Sequence, residues 1–238
     1  MAIHQPPQPA DLVLSAAWVV PVVPGGAVYE NCACVIRDRR ILALLPRAEA
    51  ARRYQAAETL HLPDHLLMPG LVNAHGHAAM TLLRGLADDL PLQPWLEDHI
   101  WPTESRWLGA DFVADGTRLA IAEMIASGTT CFADMYFYPA TVAAVARHCG
   151  IRAQIAFPIL DFATPWAATA EECLHQGLAL HDEIRGDPLL RIAFGPHAPY
   201  TVGDDTFARI AVYAGEVDAA IHIHLHETAQ EVADSLAT

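Results

Sequence analysis

Apolar and polar positions alternate in two different rhythms, and the change falls near Leu66. Before it, short apolar runs are separated by turn residues. Leu12 to Val23 reads as β-rich and broken by Pro21, and Pro24-Gly25-Gly26 reads as a turn. Tyr29 to Ile36 and Ile41 to Leu45 are spaced to pair as a hairpin across Arg37-Asp38-Arg39-Arg40, and Ala48 to Ala57 reads as a short helix. After Leu66, strand-like and helix-like segments alternate. Leu66 to Val72 reads as a buried strand, and Asp111 to Ser127 carries apolar residues at helical spacing. Strands at Thr129–Tyr136, Arg152–Leu160, Leu190–Phe194 and Ala219–Leu225 follow, with helices at Pro139–His148, Thr169–Ile184 and Asp204–Ala214 between them. A further helix opens near Ala229.

Such alternation predicts a parallel sheet with crossover helices. The polar residues sit at the C-terminal ends of the strands: His75 and His77, Asp134, Asp161, His197 and Glu227. A (β/α) barrel places its chemistry there, whereas the Gly-x-Gly-x-x-Gly of a dinucleotide-binding sheet is missing. About five βα units are countable, against eight in a closed barrel. The expected architecture is therefore α/β: a small β-rich, sandwich-like domain at residues 1–66, then an incomplete (β/α)8 TIM-type barrel at 67–238, truncated on its C-terminal side.

Two histidine-bearing strand ends carry the candidate chemistry. Met68-Pro69-Gly70-Leu71-Val72-Asn73-Ala74-His75-Gly76-His77 closes an apolar run with His-x-His, and strand alternation points both imidazoles to one face. Ile221-His222-Ile223-His224-Leu225-His226-Glu227 repeats the pattern and adds a carboxylate, and Gly195-Pro196-His197 ends a third strand in histidine. Imidazoles converging from separate strands suit a divalent metal, zinc first and Fe2+ as the alternative, and metal-assisted hydrolysis. By parity His222, His224 and His226 share a face, while Glu227 would face away from His224 unless the strand turns just after Leu225. Asp134 and Asp161 read as cap or loop-ordering residues.

Composition narrows the partners. A net charge of −14 disfavours nucleic acid and anionic membranes, and no apolar run is long enough to span a bilayer. The residues from Met1 to Pro7 lack the pattern of a secretory signal. Cys32, Cys34, Cys131, Cys149 and Cys173 form no Cys-x-x-Cys pair, which fits free thiols in a reducing cytoplasm.

Together, Pro69 to His77, Trp95-Leu96-Glu97, Pro102-Thr103-Glu104, Ser127-Gly128-Thr129-Thr130, Gly195 to Tyr200 and His224-Leu225-His226-Glu227-Thr228 resemble one family over nearly all of the chain. It is the amidohydrolase superfamily, in its methylthioadenosine/S-adenosylhomocysteine deaminase and triazine hydrolase branch. The resemblance implies His75, His77 and His224 as metal ligands and Glu227 as the proton-shuttling acid. It implies His197 as a substrate-touching catalytic residue and Glu104 as the acid holding ribose hydroxyls. His224 is preferred within its triplet for its spacing to Glu227. His222 and His226 are expected to pack or to make supporting hydrogen bonds. A further His and a metal-binding Asp, which the family uses, are not found up to Thr238. An Arg used for some substrates is not evident between Asp161 and Glu172.

The expected reaction is deamination of an adenosine-like nucleoside by attack of metal-bound hydroxide on an electron-poor ring carbon. Hydrolysis of a triazine, guanine or other amino-heterocycle is the alternative. A catalytically inactive fragment of such an enzyme is a third possibility. The expected partner is a small molecule, with homo-oligomerisation at full length.

Overall fold

The computed structural model describes residues 6–237. Residues 1–5, on which part of the leader reading rests, lie outside the described residues. The chain divides into two compact units, Met1–Gly70 and Leu71–Thr238.

The first unit is a five-stranded sheet organised around β1 (Gln8–Val19). Antiparallel β2 (Tyr29–Glu30) and β3 (Cys32–Arg37) line one flank of β1, and β4 (Arg40–Pro46) continues outward from β3. The β3–β4 hairpin forms as expected. Asp38 and Arg39 take φ of 52° and 63° at its tip, the backbone that a two-residue turn of this hand requires. α1 (Arg47–Arg53) buries Ala50 among Ala10, Val13, Ala33, Val35 and Leu45.

The other flank of β1 was not anticipated. β5 (Tyr54–Leu67) runs parallel to it for nearly its whole length, where a helix as far as Ala57 was expected. Pro63 and the polar Asp64 and His65 disguise this strand. They sit in a bulge, where Ala16 pairs with Leu62 but Trp18 pairs with Leu66. An edge strand at a bulge tolerates proline, because no ladder donor is needed there.

The second unit follows the predicted alternation. β6 (Leu71–Gly76) leads into a 3-10 turn, Ala78–Leu83, then α2 (Leu92–Pro94), a π-helical segment, Trp95–Ile100, and α3 (Trp101–Trp107). α4 (Ala110–Ala126), β7 (Thr129–Met135), α5 (Pro139–Cys149) and β8 (Arg152–Ile159) come next. α6 (Ala170–Ile184), β9 (Leu190–Pro196), α7 (Asp204–Val217), β10 (Ala220–Ile221) and α8 (Ala229–Ala237) complete it. The five parallel strands pair in chain order, β10-β9-β8-β7-β6, and curl as half of a barrel.

Its core packs Phe132, Ile155, Phe157, Ile159 and Phe194 of the strands against Ile121, Val142, Leu174 and Ile210 of the helices. Leu71 and Val72 are 51% and 65% exposed rather than buried, because β6 has a neighbour on one side only. β10 is two residues long, although His222 and His224 continue to bond the β9 side through Phe194 O and His197 O at 2.8 and 3.1 Å. Among the described residues, no helix is long and apolar enough to cross a membrane.

Close packing of α6 on β8 depends on Gly177. A methyl group there would meet the Phe157 ring at 2.3 Å. Phe157 is fully buried against Phe194, ring centroids 4.8 Å apart, so it has little room to yield. Alanine favours helix over glycine by about 1 kcal/mol, whereas overpacking costs about 1–3 kcal/mol. Gly177→Ala is therefore expected to lower the melting temperature by roughly 5 °C in a thermal unfolding scan. An unchanged or raised melting temperature would show that the Phe157 ring can swing aside.

Candidate metal centre and adjoining cleft

β6 and β10 lie at opposite ends of the strand order, yet the curl brings their C-terminal ends together. Nε2 of His224 stands 3.2 Å from Nε2 of His75 and 3.3 Å from Nε2 of His77. Among the described residues, His75, His77 and His224 are the group able to hold a metal ion. His77 bonds Met135 O through Nδ1 at 2.6 Å, and His224 bonds His197 O through Nδ1 at 2.9 Å. Carbonyl oxygens only accept, so both Nδ1 atoms carry the hydrogen and both Nε2 atoms present lone pairs. Facing lone pairs cannot hydrogen-bond each other. Two nitrogens at ~2.0–2.1 Å from one tetrahedral zinc stand ~3.4 Å apart, close to the spacing found, so the donor set fits a divalent metal. Burial holds the His77 imidazole down to about 4, against the opposing Met135 bond, and keeps it neutral as a ligand must be. His75 is also lowered, first by burial and then by its histidine neighbours.

The segment after β6 is pinned from below by Asp134, at the end of β7. Its Oδ1 accepts from Ala78 N at 2.6 Å, and full burial pushes its carboxyl up to about 7. Asp161, after β8, accepts from Gly203 N and Thr206 Oγ1 at 2.6 and 2.8 Å and so orders the start of α7. Both acids serve the loop-ordering role read from the sequence.

His197 packs its ring 5.1 Å from that of His224. Its Nδ1 contacts Thr201 Oγ1 at 3.0 Å, and burial, followed by the neighbouring His224 and His77, lowers its imidazole to about 4. It therefore stays neutral, with no hydrogen-bond partner at Nε2 among the described residues. His197 also lines a cavity of ≈ 200 Å³ shared with Trp101, Glu104, Phe137, Leu160 and Phe162. Glu104 is buried, accepts from Tyr136 OH at 2.5 Å, and is raised by burial against that bond. Its carboxylate is thus a half-satisfied acceptor at an aromatic-walled cleft. A larger groove, ≈ 440 Å³, lies at the other end of the sheet around Gln154, Arg185, Arg191 and Asp218, and among the described residues no group of metal-ligating side chains converges there.

The chain turns where Glu227 required it. His226 takes φ of 59°, which breaks the alternation after Leu225. Glu227 then accepts from Tyr200 OH at 3.1 Å, and the Tyr200 ring stands edge-on to His197 at 5.9 Å. The turn is held by Glu231, whose buried carboxylate accepts from the amides of His226 and Glu227, both at 2.8 Å. Thr228 Oγ1 in turn accepts from Glu231 N at 3.1 Å. Tyr136, Tyr200 and Glu231 were not singled out from the sequence. The Thr228-x-x-Glu231 capping signature could have revealed the last. Parity grouped His226 with the other histidines, but the turn removes it from their face. His222 does reach the cluster, through His75.

The amidohydrolase family model matches residues 66–238. The chain is 58% identical to a 5-methylthioadenosine/S-adenosylhomocysteine deaminase of Saccharophagus degradans over 96% of its length, and 54% identical to one of Teredinibacter turnerae over 95%. It spans about half of those relatives, 51% of each. A zinc-bound adenosine deaminase from Xanthomonas campestris superposes with a TM-score of 0.94 at 51% identity, covering 98% of this chain and 53% of that one. A zinc-bound atrazine chlorohydrolase from Arthrobacter aurescens TC1 shares the fold, with a TM-score of 0.80 at 19% identity over 91% of this chain and 53% of that one. A barrel-type sheet with imidazoles gathered at its C-terminal end, and a family match over most of the sequence, lead to one statement: the chain belongs to the amidohydrolase family.

Proposed function

We propose that this protein is a zinc-dependent aminohydrolase that deaminates an adenosine-like nucleoside, 5'-methylthioadenosine or S-adenosylhomocysteine. The observation that carries the reading is the convergence of three imidazole Nε2 atoms beside a cleft containing a buried, half-satisfied carboxylate. The names of the relatives at 58% and 54% identity support the substrate class. In this reading residues 67–238 carry the chemistry and residues 1–66 form the accompanying β-rich domain. The free cysteines among the described residues fit a cytoplasmic setting.

His75, His77 and His224 would hold the zinc, whose chemistry is to acidify a water toward a pKa of ~7. Glu227 serves as the base that takes the water proton and returns it to the ring nitrogen or the leaving amine. Tyr200 and the Glu231-held turn keep that carboxylate in place. His197, neutral and with Nδ1 engaged by Thr201, offers Nε2 to the heterocycle. Glu104 accepts from the ribose hydroxyls with the oxygen that Tyr136 leaves free. Trp101 and Phe162 supply aromatic wall to the cleft that holds Glu104 and His197.

Ammonia release by the zinc-loaded protein should be measured on methylthioadenosine, S-adenosylhomocysteine, adenosine and guanine. Nucleosides are expected to be turned over in preference to the free base. Glu104→Gln should lower kcat/KM for the nucleosides about 10–100-fold, the equivalent of a charged hydrogen bond of ~1.5–3 kcal/mol. Turnover of guanine alone would move the assignment to an amino-heterocycle hydrolase. Zinc-loaded protein that releases ammonia from none of them would overturn the reading of this chain as a working deaminase and leave that of a catalytically inactive fragment.

A further inference from the structure

His222 is placed by the strand that carries His224, with its backbone N donating to Phe194 O at 2.8 Å. Its ring lies 4.9 Å from that of His75, and its Nε2 is 2.8 Å from Nδ1 of His75. That distance is a hydrogen bond. It is shorter than the 3.2 and 3.3 Å between the nitrogens that converge on the metal point, and shorter than the ~3.4 Å expected between two ligands of one tetrahedral zinc. The contact also falls on the ring nitrogen of His75 that is not the one facing His224.

The proton positions follow from the chemistry of neutral imidazole, which has one N–H and one lone pair. For Nε2 of His75 to join the cluster, its hydrogen must sit on Nδ1. His222 must then accept through Nε2 and carry its own hydrogen on Nδ1. Nδ1 of His222 is buried without a hydrogen-bond partner among the described residues, so the hydrogen bond to His75 is the one that its ring makes. His77 and His224 are fixed by backbone carbonyls in the same way. His75 has a side chain in that role.

We propose that His222 is the positioning residue of His75: its Nε2 accepts the Nδ1 hydrogen and fixes the tautomer and ring plane that aim Nε2 at the metal. This rests on the metal-site reading above.

The test uses the chain itself in three forms, wild type, His222→Phe and His222→Gln, with zinc affinity measured by competition against a chromophoric chelator. Long-range 15N NMR on the zinc-free protein reports the tautomer of His75. Phe fills the space without an acceptor, and Gln restores an acceptor oxygen. His222→Phe is expected to weaken zinc binding about 10–100-fold and to release His75 from the Nδ1–H tautomer. His222→Gln should recover most of both. A Phe variant with unchanged affinity and unchanged His75 tautomer overturns the proposal while leaving the metal site standing. Wild-type His75 protonated on Nε2 also overturns it, whether or not the Phe variant folds. Wild-type protein that binds no zinc overturns the metal reading, and this assignment with it.

Discussion

Glu227→Gln is expected to reduce kcat for methylthioadenosine by at least ~100-fold while leaving bound zinc unchanged. Glutamine has the same length, and its amide oxygen can still accept from Tyr200, which now stands 3.1 Å from the carboxylate. The turn that presents the residue is built from main-chain amides on Glu231 and from the positive φ of His226, so it survives the exchange. What disappears is a group that can gain and lose a proton. The effect should therefore appear in kcat, with KM nearly constant, because the substrate contacts proposed for His197 and Glu104 are untouched. Zinc content and kcat should be measured on the same preparation. A fully active variant would remove Glu227 from proton transfer and leave its contact with Tyr200 a structural one.

His77→Ala is expected to abolish zinc binding. His77 lies against Tyr136 and is locked by Met135 O. Its removal leaves two ring nitrogens at the metal point and strands a carbonyl without its donor. The loss should exceed the ~10–100-fold that follows when only a supporting partner is removed, so zinc should not survive dialysis. His226→Asn is the matched control. Asparagine tolerates the left-handed backbone, and His226 is turned away from the cluster, so its metal content should equal that of the wild type. Equal zinc in His77→Ala would mean that the imidazoles meet for another reason.

Much of the site was legible because strand geometry is local. His75 and His77 share a face by alternation, and their rings do stand 4.9 Å apart. The need for a turn before Glu227 followed from the same parity, and His226 supplies it. Less was legible where partners come from distant segments. Tyr136 meets Glu104 across 32 positions and Tyr200 meets Glu227 across 27, and no periodicity records such pairings. β5 was hidden for a different reason. Pro63 and its polar neighbours carry a loop signature, and only the bulge against β1 reconciles them with a strand. The exposure of Leu71 and Val72 was likewise beyond a pattern of apolar residues, which identifies a strand but not how many neighbours it has.

The ligands of the candidate centre come from the first and last strands of the curled sheet, and His77 and His224 are 147 positions apart. A metal that ties them acts on the chain as a cross-link. It closes one long loop around four crossover connections and removes from the unfolded ensemble every conformation in which the two ends drift apart. For a loop of that length the chain-entropy model gives about 5 kcal/mol, comparable with the net stability of many whole domains. The same three imidazoles that would prepare a water for attack would also hold the half-barrel in its curl, so that affinity for the ion and cooperativity of folding become one quantity measured in two ways.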